Sequence, residues 1–216
     1  MNTSFASHGF ELSDSELVQF EQFLALFIEY NSHTNLSAIR DRESIIEKHF
    51  IDSLYGASII DEILQFAKNP NPRLLDIGSG GGFPGIPLKI VIPELDITLL
   101  DSIGKKVKAM NYFVENIGLN NIQAIQDRAE NLAKNPDHKW QYDIVVSRAT
   151  AYITDILFWS APFLTKTWRI LLYKMPWEDE MRDIGQACKK YRLKLTGELE
   201  YELGGKARIL YVFARA

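Results

Sequence analysis

Apolar residues in the first third of the chain recur at helical spacing. After the capping-box sequence Ser13-Asp14-Ser15-Glu16, large apolar side chains return every three or four residues as far as about Tyr30. A capping box followed by such a stripe predicts an amphipathic helix whose aromatic side chains lie in the core. The same periodicity predicts two further helices, over residues 42–54 and 58–66. The N-terminal segment is therefore expected to be helical.

Short apolar runs replace this pattern after Asn69-Pro70-Asn71-Pro72, which ends the helical region because a proline disfavours helix at the residue before it. From there strands and helices alternate, which is typical of a parallel sheet covered by helices. The predicted strands cover residues 73–77, 97–101, 122–126, 142–147, 169–174, 193–200 and 207–214. The predicted helices between them cover residues 84–92, 104–117, 129–134, 152–163 and 178–191.

A glycine-rich loop follows the first predicted strand. Asp76 opens it, and the chain continues Ile77-Gly78-Ser79-Gly80-Gly81-Gly82-Phe83-Pro84-Gly85. Glycines let the backbone approach a ligand closely, and the second strand ends in Asp101, a carboxylate suited to ribose hydroxyls. An acid beside the loop favours S-adenosylmethionine, because a carboxylate would repel the pyrophosphate of a dinucleotide. The cofactor-binding residues predicted from this pattern are Asp76, Gly78, Gly80, Gly82 and Asp101.

A second register of the same loop keeps a different class of enzyme open. Gly80-x-Gly82-x-x-Gly85 fits the dinucleotide-binding pattern of NAD-dependent oxidoreductases. In that register the first glycine falls four residues after Asp76, which is late for a strand that ends near Ile77. A non-catalytic module that binds RNA or cofactor without turnover is a further alternative.

The end of the chain refines the fold class. The last two predicted strands are joined only by Leu203-Gly204-Gly205-Lys206, too short for a crossover helix, so they form an antiparallel hairpin. Seven strands with such a hairpin indicate the α/β, Rossmann-like fold of class I S-adenosylmethionine-dependent methyltransferases. We therefore expect an N-terminal helical extension over residues 1–70 and a methyltransferase domain over residues 71–216.

Composition narrows the setting in which the protein works. No apolar stretch approaches the length of a membrane span, and the N-terminus lacks a signal-peptide pattern. The single cysteine, Cys188, excludes an intramolecular disulfide and fits a reducing cytosol. The four histidines lack metal-ligand spacing. We expect a cytoplasmic protein, monomeric and without a metal.

The charge is unevenly distributed along the chain. A net charge of −4 argues mildly against a nucleic-acid binder. However, residues 1–70 carry four basic against eleven acidic side chains, whereas residues 71–216 carry twenty against seventeen. The acidity belongs to the N-terminal segment, so a modest basic face is allowed on the rest.

The absence of two catalytic motifs narrows the chemical class of the methyl acceptor. Cys188 is far along the chain from the loop, so it is a poor nucleophile for attack at pyrimidine C5. Amine methyltransferases usually carry [DN]-P-P-[FY] after the fourth strand, where this chain reads Ser147-Arg148-Ala149-Thr150. Carboxyl and ring-nitrogen acceptors remain, and guanine N7 is one of them. Such acceptors carry a lone pair, so positioning is expected to suffice without a general base.

Two arginines follow predicted strands at the edge where ligands bind. Arg128 follows the third strand and Arg148 ends the fourth. A guanidinium fork suits guanine O6 or phosphate, so both are candidate catalytic residues that position the acceptor. The alternative is that each only pairs with a nearby acid, among them Asp127, Glu130 and Asp143. Lys105 and Lys106 open the next helix along the chain, either as a solvated face or as phosphate contacts with RNA.

Several motifs together resemble one family, the bacterial 16S ribosomal RNA guanine-N7 methyltransferases, also called glucose-inhibited division protein B. The matching N-terminal signatures are Asn35-Leu36-Ser37-Ala38-Ile39-Arg40 and Lys48-His49-Phe50-Ile51-Asp52-Ser53. The glycine loop with its Phe-Pro-Gly-Ile-Pro extension also matches, as do the segments Leu99–Val107, Arg128–Glu130, Ser147–Ala149 and Arg208. The chain departs from the family pattern at Thr150, at residues 165–168, where a Pro-Gly-Gly turn is usual, and at Lys174-Met175.

The resemblance implies transfer of a methyl group from S-adenosylmethionine to N7 of one guanosine in a 16S rRNA loop. The cofactor contacts that it implies are Gly78, Phe83, the backbone of Ala129 and Glu130, and Arg148. Arg128 and Arg208 match arginines tied to RNA or catalysis. A methyltransferase that acts on a small molecule or protein is the alternative within the same chemistry. His49, a single histidine in a helix, is expected to be a packed or hydrogen-bonded residue.

Overall fold

A computed structural model describes residues 1–67, 69–148, 151–176 and 178–216 of the chain. Its sheet consists of β1 (Arg73–Ile77), β2 (Asp96–Asp101), β3 (Ile122–Gln126), β4 (Tyr142–Arg148), β5 (Leu164–Lys174), β6 (Leu193–Leu203) and β7 (Lys206–Arg215). The strand order is β3-β2-β1-β4-β5-β7-β6. The first five strands are parallel, and β7 pairs antiparallel with both β5 and β6. The predicted seven-stranded sheet with a C-terminal hairpin is confirmed.

Helices cover both faces of this sheet. Those of the N-terminal segment are α1 (Asn2–Ala6), α2 (Asp14–Thr34), α3 (Arg42–Ile45), α4 (Asp52–Leu54) and α5 (Ala57–Ala67), with a π-helix over Ile46–Ile51 between α3 and α4. The later helices are α6 (Gly85–Val91), α7 (Gly104–Ile117), α8 (Ala129–Leu132), α9 (Ile153–Ser160) and α10 (Glu178–Tyr191), and a 3₁₀ turn over Ala161–Phe163 follows α9. No helix in the described ranges is long and apolar enough to cross a membrane.

The structure differs from the sequence prediction at several boundaries. The capping box at Ser13 is formed as predicted, but α2 continues to Thr34, where Asn35 ends it in a left-handed conformation (φ 51°). The short helix α1 was not predicted. Strand β5 starts at Leu164 rather than at residue 169, and its pairing with β4 shifts register between Leu164 and Arg169. A bulged strand therefore occupies the place where the family usually has a turn.

One continuous hydrophobic core joins the N-terminal helices to the sheet. The aromatic rings of Phe23 and Phe27 on α2 pack against Phe83 after the glycine loop and against Phe113 on α7. All four side chains are at most 4% exposed, and each such burial contributes about 1.5–3 kcal/mol. A second core under α9 and α10 covers the opposite face. The N-terminal helices are thus packed directly on the glycine loop, and the division of the chain at residue 70 stays a prediction.

Candidate functional site

A cavity of about 490 Å³ lies at the carboxyl ends of the central parallel strands, where open α/β sheets bind ligands. The glycine loop, the ends of β2 and β4 and the start of α8 form three of its sides. The fourth side comes from the N-terminal segment. The lining residues are Leu36, Ser37, His49, Ile77, Gly78, Ser79, Gly80, Gly81, Phe83, Leu100, Asp101, Ser102, Ile103, Lys106, Asp127, Arg128, Ala129, Glu130, Arg148 and Trp159.

Backbone hydrogen bonds hold the glycine loop beside strand β2. The amide groups of Gly78 and Ser79 both donate to the carbonyl of Leu100, at 2.8 and 3.1 Å. Gly78 and Gly80 have φ values of 76° and 61°, a region that side chains disfavour. A Cβ on Gly80 would meet nothing closer than the Gly78 carbonyl at 3.9 Å. The loop therefore presents open backbone to the cavity.

Asp101 ends β2 and ties its carboxylate to both neighbouring segments. Its Oδ2 accepts from the Gly80 amide at 3.0 Å, and its Oδ1 accepts from the Ile103 amide at 2.9 Å. Lys106 Nζ lies 3.7 Å from Oδ2. The side chain is 7% exposed and lines the cavity. Each carboxylate oxygen has further lone pairs, so Asp101 can both fix the loop and receive ribose hydroxyls.

Asp76, predicted to bind the cofactor, lies beneath the loop and does not line the cavity. Its Oδ2 accepts from the Gly85 amide at 2.9 Å, at the start of α6. Its Oδ1 is buried and finds no partner in the described part of the chain. Burial raises the pKa of this carboxyl from 3.8 to about 7. The structure thus makes Asp76 a support for the loop.

Gly82 also lies away from the cavity. A Cβ on Gly82 would stand 2.5 Å from Ile86, and one on Gly85 would stand 2.2 Å from Leu99. Two glycines of the dinucleotide register therefore make room for the protein's own side chains. The start of α6, where a pyrophosphate would bind, already holds the carboxylate of Asp76. This geometry disfavours the NAD-dependent alternative.

The N-terminal side of the cavity is built on the buried Asn31 of α2. Its Nδ2 donates to the carbonyls of Ser37 and Ile39, and its Oδ1 accepts from the amides of Leu36 and Ser37, all within 3.1 Å. These four hydrogen bonds fix the loop after α2. Ser37 is thereby held 2.9 Å from His49 Nε2 in the π-helix. The two N-terminal signatures meet at this contact.

Arg148 crosses the cavity from the end of β4 to that π-helix. Its Nη1 donates to the Lys48 carbonyl at 2.7 Å and to Asp52 Oδ2 at 3.0 Å, and its Nη2 donates to His49 Nδ1 at 3.0 Å. The guanidinium carbon lies 5.2 Å from the centre of the Phe83 ring, a cation–π distance. The acid that pairs with Arg148 is therefore Asp52, which the sequence did not suggest.

His49 is neutral and fully engaged. Burial and the charge of Arg148 lower its pKa from 6.5 to about 3. Nδ1 lies between the Arg148 guanidinium, which can only donate, and the Lys48 carbonyl at 3.1 Å, which can only accept, and Nε2 contacts the hydroxyl of Ser37. The ring also stacks on Phe83 with centres 4.6 Å apart. Neither nitrogen is available as a base, which agrees with the expectation of a packed, hydrogen-bonded histidine. Its place in the cavity wall was not foreseen.

The start of α8 forms the far rim of the cavity. Arg128 precedes the helix with an exposed side chain, and within the described ranges it has no salt bridge or side-chain hydrogen bond. Ala129 and Glu130 follow it and line the cavity as predicted. The alternative in which Arg128 pairs with Asp127 or Glu130 is not observed. Asp143, the third acid considered, instead accepts from the Arg73 amide and from Thr165.

The remaining predicted residues lie in two separate places. Lys106 lines the cavity, whereas Lys105 is exposed beside it. Arg208 is half-buried on β7 and does not line the cavity; it lies opposite Tyr201 of β6. Ala149, part of the third arginine segment, and Thr150 lie outside the described residues.

Sequence reasoning missed Ser37, His49 and Asp52 as parts of the site. All three lie in the two N-terminal signatures, which carried the resemblance without an assigned role. For His49 and Asp52 the usable signal was a polar side chain inside an otherwise apolar helical segment, whereas Ser37 lies in a loop and gave no such signal. In the described part of the chain, no group of three or more His, Cys, Asp or Glu side chains is placed to hold a metal ion.

S-adenosylmethionine fits this arrangement. The open backbone at Gly80, the carboxylate of Asp101 and the apolar rings of Phe83 and Trp159 surround a space in the usual size range of cofactor sites. The amide groups and the acid suit the adenosine and methionine parts of the molecule. No side chain of the described residues fills this space.

Comparison with known proteins identifies relatives over most of the chain. The family described as rRNA small subunit methyltransferase G (GidB) matches residues 16–199. A protein of Clostridium novyi named ribosomal RNA small subunit methyltransferase G is 38% identical over 202 residues, 93% of this chain and 79% of that protein. A Lactococcus lactis protein of the same name is 34% identical over 198 residues, 89% and 79% of the two chains.

Solved structures with the same fold include TrmN and a tRNA methyltransferase, TrmK. TrmN from Thermus thermophilus aligns with a TM-score of 0.55 and 16% identity over 79% of this chain and 53% of its own. The tRNA methyltransferase TrmK from B. subtilis aligns with a TM-score of 0.55 and 19% identity over 73% and 65% of the two chains. These likenesses support the methyltransferase fold.

Proposed function

The chain belongs to the rRNA small subunit methyltransferase G family, and from that premise we propose how its site methylates RNA. It is an S-adenosylmethionine-dependent methyltransferase. The reaction transfers a methyl group to N7 of guanosine 527 of small-subunit rRNA, the chemistry of the family. Methylation of a small molecule or a protein is not favoured.

One observation carries the assignment of the site: the family match extends over both sides of the cavity. Residues 16–199 include the π-helix and the loop after α2 as well as the glycine loop, Asp101 and Arg148. A fold shared with other methyltransferases would account for the glycine loop alone. The match over the N-terminal side ties this cavity to the family's own reaction.

S-adenosylmethionine, when bound, supplies an electrophilic methyl group on its sulfonium. The open backbone at Gly80, the neighbouring Gly78 and the carboxylate of Asp101 would hold it, with Phe83, Ala129 and Glu130 closing around it. Guanine N7 carries a lone pair and no proton, so positioning contributes most of the acceleration. His49 is neutral with both nitrogens engaged, which supports a reaction without a histidine base.

In this proposal the three arginines have different roles in binding the RNA substrate. Arg148 is fixed by the π-helix and stands beside the cofactor space, where its charge would orient the acceptor base. Arg128 is exposed on the rim and would hold RNA there, with Lys105 and Lys106 next to it. Arg208 would contact RNA from the hairpin. We further propose that the protein acts as a cytoplasmic monomer without a metal.

The test is methylation of small-subunit RNA by the purified protein. Naked 16S rRNA and small ribosomal subunits from a strain that lacks the enzyme are incubated with labelled S-adenosylmethionine. Mass spectrometry of the nuclease fragments then locates the label. We expect one 7-methylguanosine in one of these substrates. Label on another base or on ribosomal protein, or no label in either substrate, would contradict the proposal.

A further inference from the structure

A chain of hydrogen bonds leaves the cavity on the side of the C-terminal hairpin. Asp52 is 6% exposed. Its Oδ2 accepts from Arg148 at 3.0 Å, and its Oδ1 accepts from the hydroxyl of Tyr201 on β6 at 2.7 Å. A single buried carboxylate therefore joins the arginine beside the cofactor space to a strand that is 53 residues away in sequence from that arginine.

The hairpin and the N-terminal side of the cavity also touch at two other points. The ring of Tyr201 stacks on Tyr55, which follows α4, with ring centres 3.8 Å apart. At the tip of the hairpin, a Cβ on Gly204 would stand 3.3 Å from the carboxylate of Glu47 in the π-helix. The hydrogen bond from Tyr201 to Asp52 thus crosses a packed surface. Because the Tyr201 ring is already held by Tyr55, forming this bond costs little side-chain conformational entropy.

Arg208 is placed next to this connection. In the β6–β7 pairing Tyr201 lies directly opposite Arg208. Side chains of directly opposed residues in an antiparallel pair lie on the same face of the sheet. A phosphate bound by Arg208 would therefore lie beside Tyr201, the residue that donates to Asp52.

We propose that Asp52 and Tyr201 are positioning residues that join Arg148 to the β6–β7 hairpin, so that RNA held at Arg208 orders the arginine beside the cofactor. This inference rests on the proposed function, because it takes Arg208 as an RNA contact. Tyr201 acts through Asp52 and touches neither cofactor nor acceptor. Loss of its hydroxyl leaves Oδ1 of Asp52 without this donor and frees the carboxylate to rotate away from Arg148.

Tyr201→Phe tests the connection because it removes one oxygen and keeps the ring that stacks on Tyr55. We expect kcat to fall about 10-fold, since small misplacements of positioning groups have effects of this size or larger. In an Arg148→Lys background, the same change should cost less than about twofold, because effects that act through one residue are not additive. Tyr112→Phe on α7 is the matched control and should leave kcat unchanged in both backgrounds. An equal loss from Tyr201→Phe in both backgrounds, or no loss in either, would overturn the proposal.

A binding measurement separates coupling from activity. The affinity for S-adenosylhomocysteine is measured by calorimetry with and without the RNA substrate. We expect RNA to tighten binding at least about 5-fold in the wild type and in Tyr112→Phe, and less than twofold in Tyr201→Phe and Arg208→Ala. Unchanged coupling in Tyr201→Phe would refute the connection. Wild-type protein that methylates rRNA while this test fails refutes the inference alone, whereas wild-type protein that methylates no RNA refutes the proposed function.

Discussion

The two sides of the cavity are built by different means. The glycine-loop side consists of backbone, and its amide groups donate to Asp101, 21 residues away from Gly80, and to the nearby carbonyl of Leu100. The N-terminal side depends on side chains: Asn31 fixes the loop that carries Ser37, and His49 and Asp52 contact Arg148. The first side is a local structure, and the second depends on segments about 100 residues apart.

This difference indicates what each side contributes. A backbone cradle suits any nucleoside cofactor, and the fold that carries it is shared with structures that are only 16–19% identical to this chain. The side-chain network lies in the range that the family match covers. We therefore expect changes on the loop side to affect the cofactor, and changes on the N-terminal side to affect the use of the acceptor.

The strongest disruption is expected where the two sides meet. A Cβ on Gly81 would stand 2.7 Å from Phe27 of α2 and 3.1 Å from Phe83. Gly81→Leu should lower the free energy of unfolding by about 3 kcal/mol, because a packed core accepts extra volume poorly. Chemical denaturation measures this change. Gly185→Ala, at an open position inside α10, is the control and should stabilise by about 0.5–1 kcal/mol. Equal effects of the two substitutions would show that the sides are not packed as described.

The second-largest effect is expected on the loop side, where loss of the Asp101 carboxylate should weaken cofactor binding. Asp101→Ala removes the acceptor for the Gly80 amide and the carboxylate that we propose to bind the ribose hydroxyls. We expect affinity for S-adenosylmethionine to fall by about 1.5–3 kcal/mol, the value of a charge-assisted hydrogen bond. Calorimetric titration measures it, with Asp61→Ala on α5 as a control that should bind normally. If both variants bind alike, the role of Asp101 is confined to the fold.

The two sides should respond to pH with opposite signs. His49 has its pKa lowered from 6.5 to about 3, so between these values the unfolded chain binds the extra proton and stability falls as pH falls. Asp76 has its pKa raised from 3.8 to about 7, so in that window the folded chain holds the extra proton and stability falls as pH rises.

Unfolding free energies measured from pH 4 to 7 against His49→Asn and Asp76→Asn separate the two groups. As pH rises, the free energy of unfolding of the wild type should increase relative to that of His49→Asn. Over the same range, the free energy of unfolding of the wild type should decrease relative to that of Asp76→Asn. Parallel slopes for the two variants would mean that one of the two groups is not buried as the structure places it.

The smallest effects should distinguish two adjacent lysines. Lys106 pairs with Asp101, whereas Lys105 is exposed. Lys106→Ala should weaken cofactor binding by less than about 1 kcal/mol, and Lys105→Ala should leave it unchanged. Each substitution should lower the salt slope of RNA binding by about one if both contact phosphate. Salt titrations of RNA affinity that match the wild type in both variants would remove the lysines from the RNA surface.

The sequence by itself determined the sheet, the glycine loop and the placement of Asp101 and Arg148 at its ligand edge. Periodicity and glycine spacing are local signals, and they indicate which short segments form strands, helices or tight turns. The rule that parallel strands present their carboxyl ends at one edge then brought the loop, Asp101 and the arginines together. Asp76 and Gly82, which lie under the loop, could not be told apart in the sequence from the open positions Gly78 and Gly80, because all four belong to the same acid and glycine pattern.

Only the tertiary structure decided the partners of these residues. Asp52 meets Arg148 across 96 residues and Tyr201 across 149, and no local pattern encodes such a pairing. The π-helix that presents Lys48 and His49 also looks like an ordinary helix in the sequence, because its apolar spacing differs too little from that of an α-helix. The ion pair of Arg148 with Asp52 and the hydrogen bonds of His49 are stable because the surrounding segments exclude water. That packing exists only in the tertiary structure, where the N-terminal helices and the hairpin lie against the sheet.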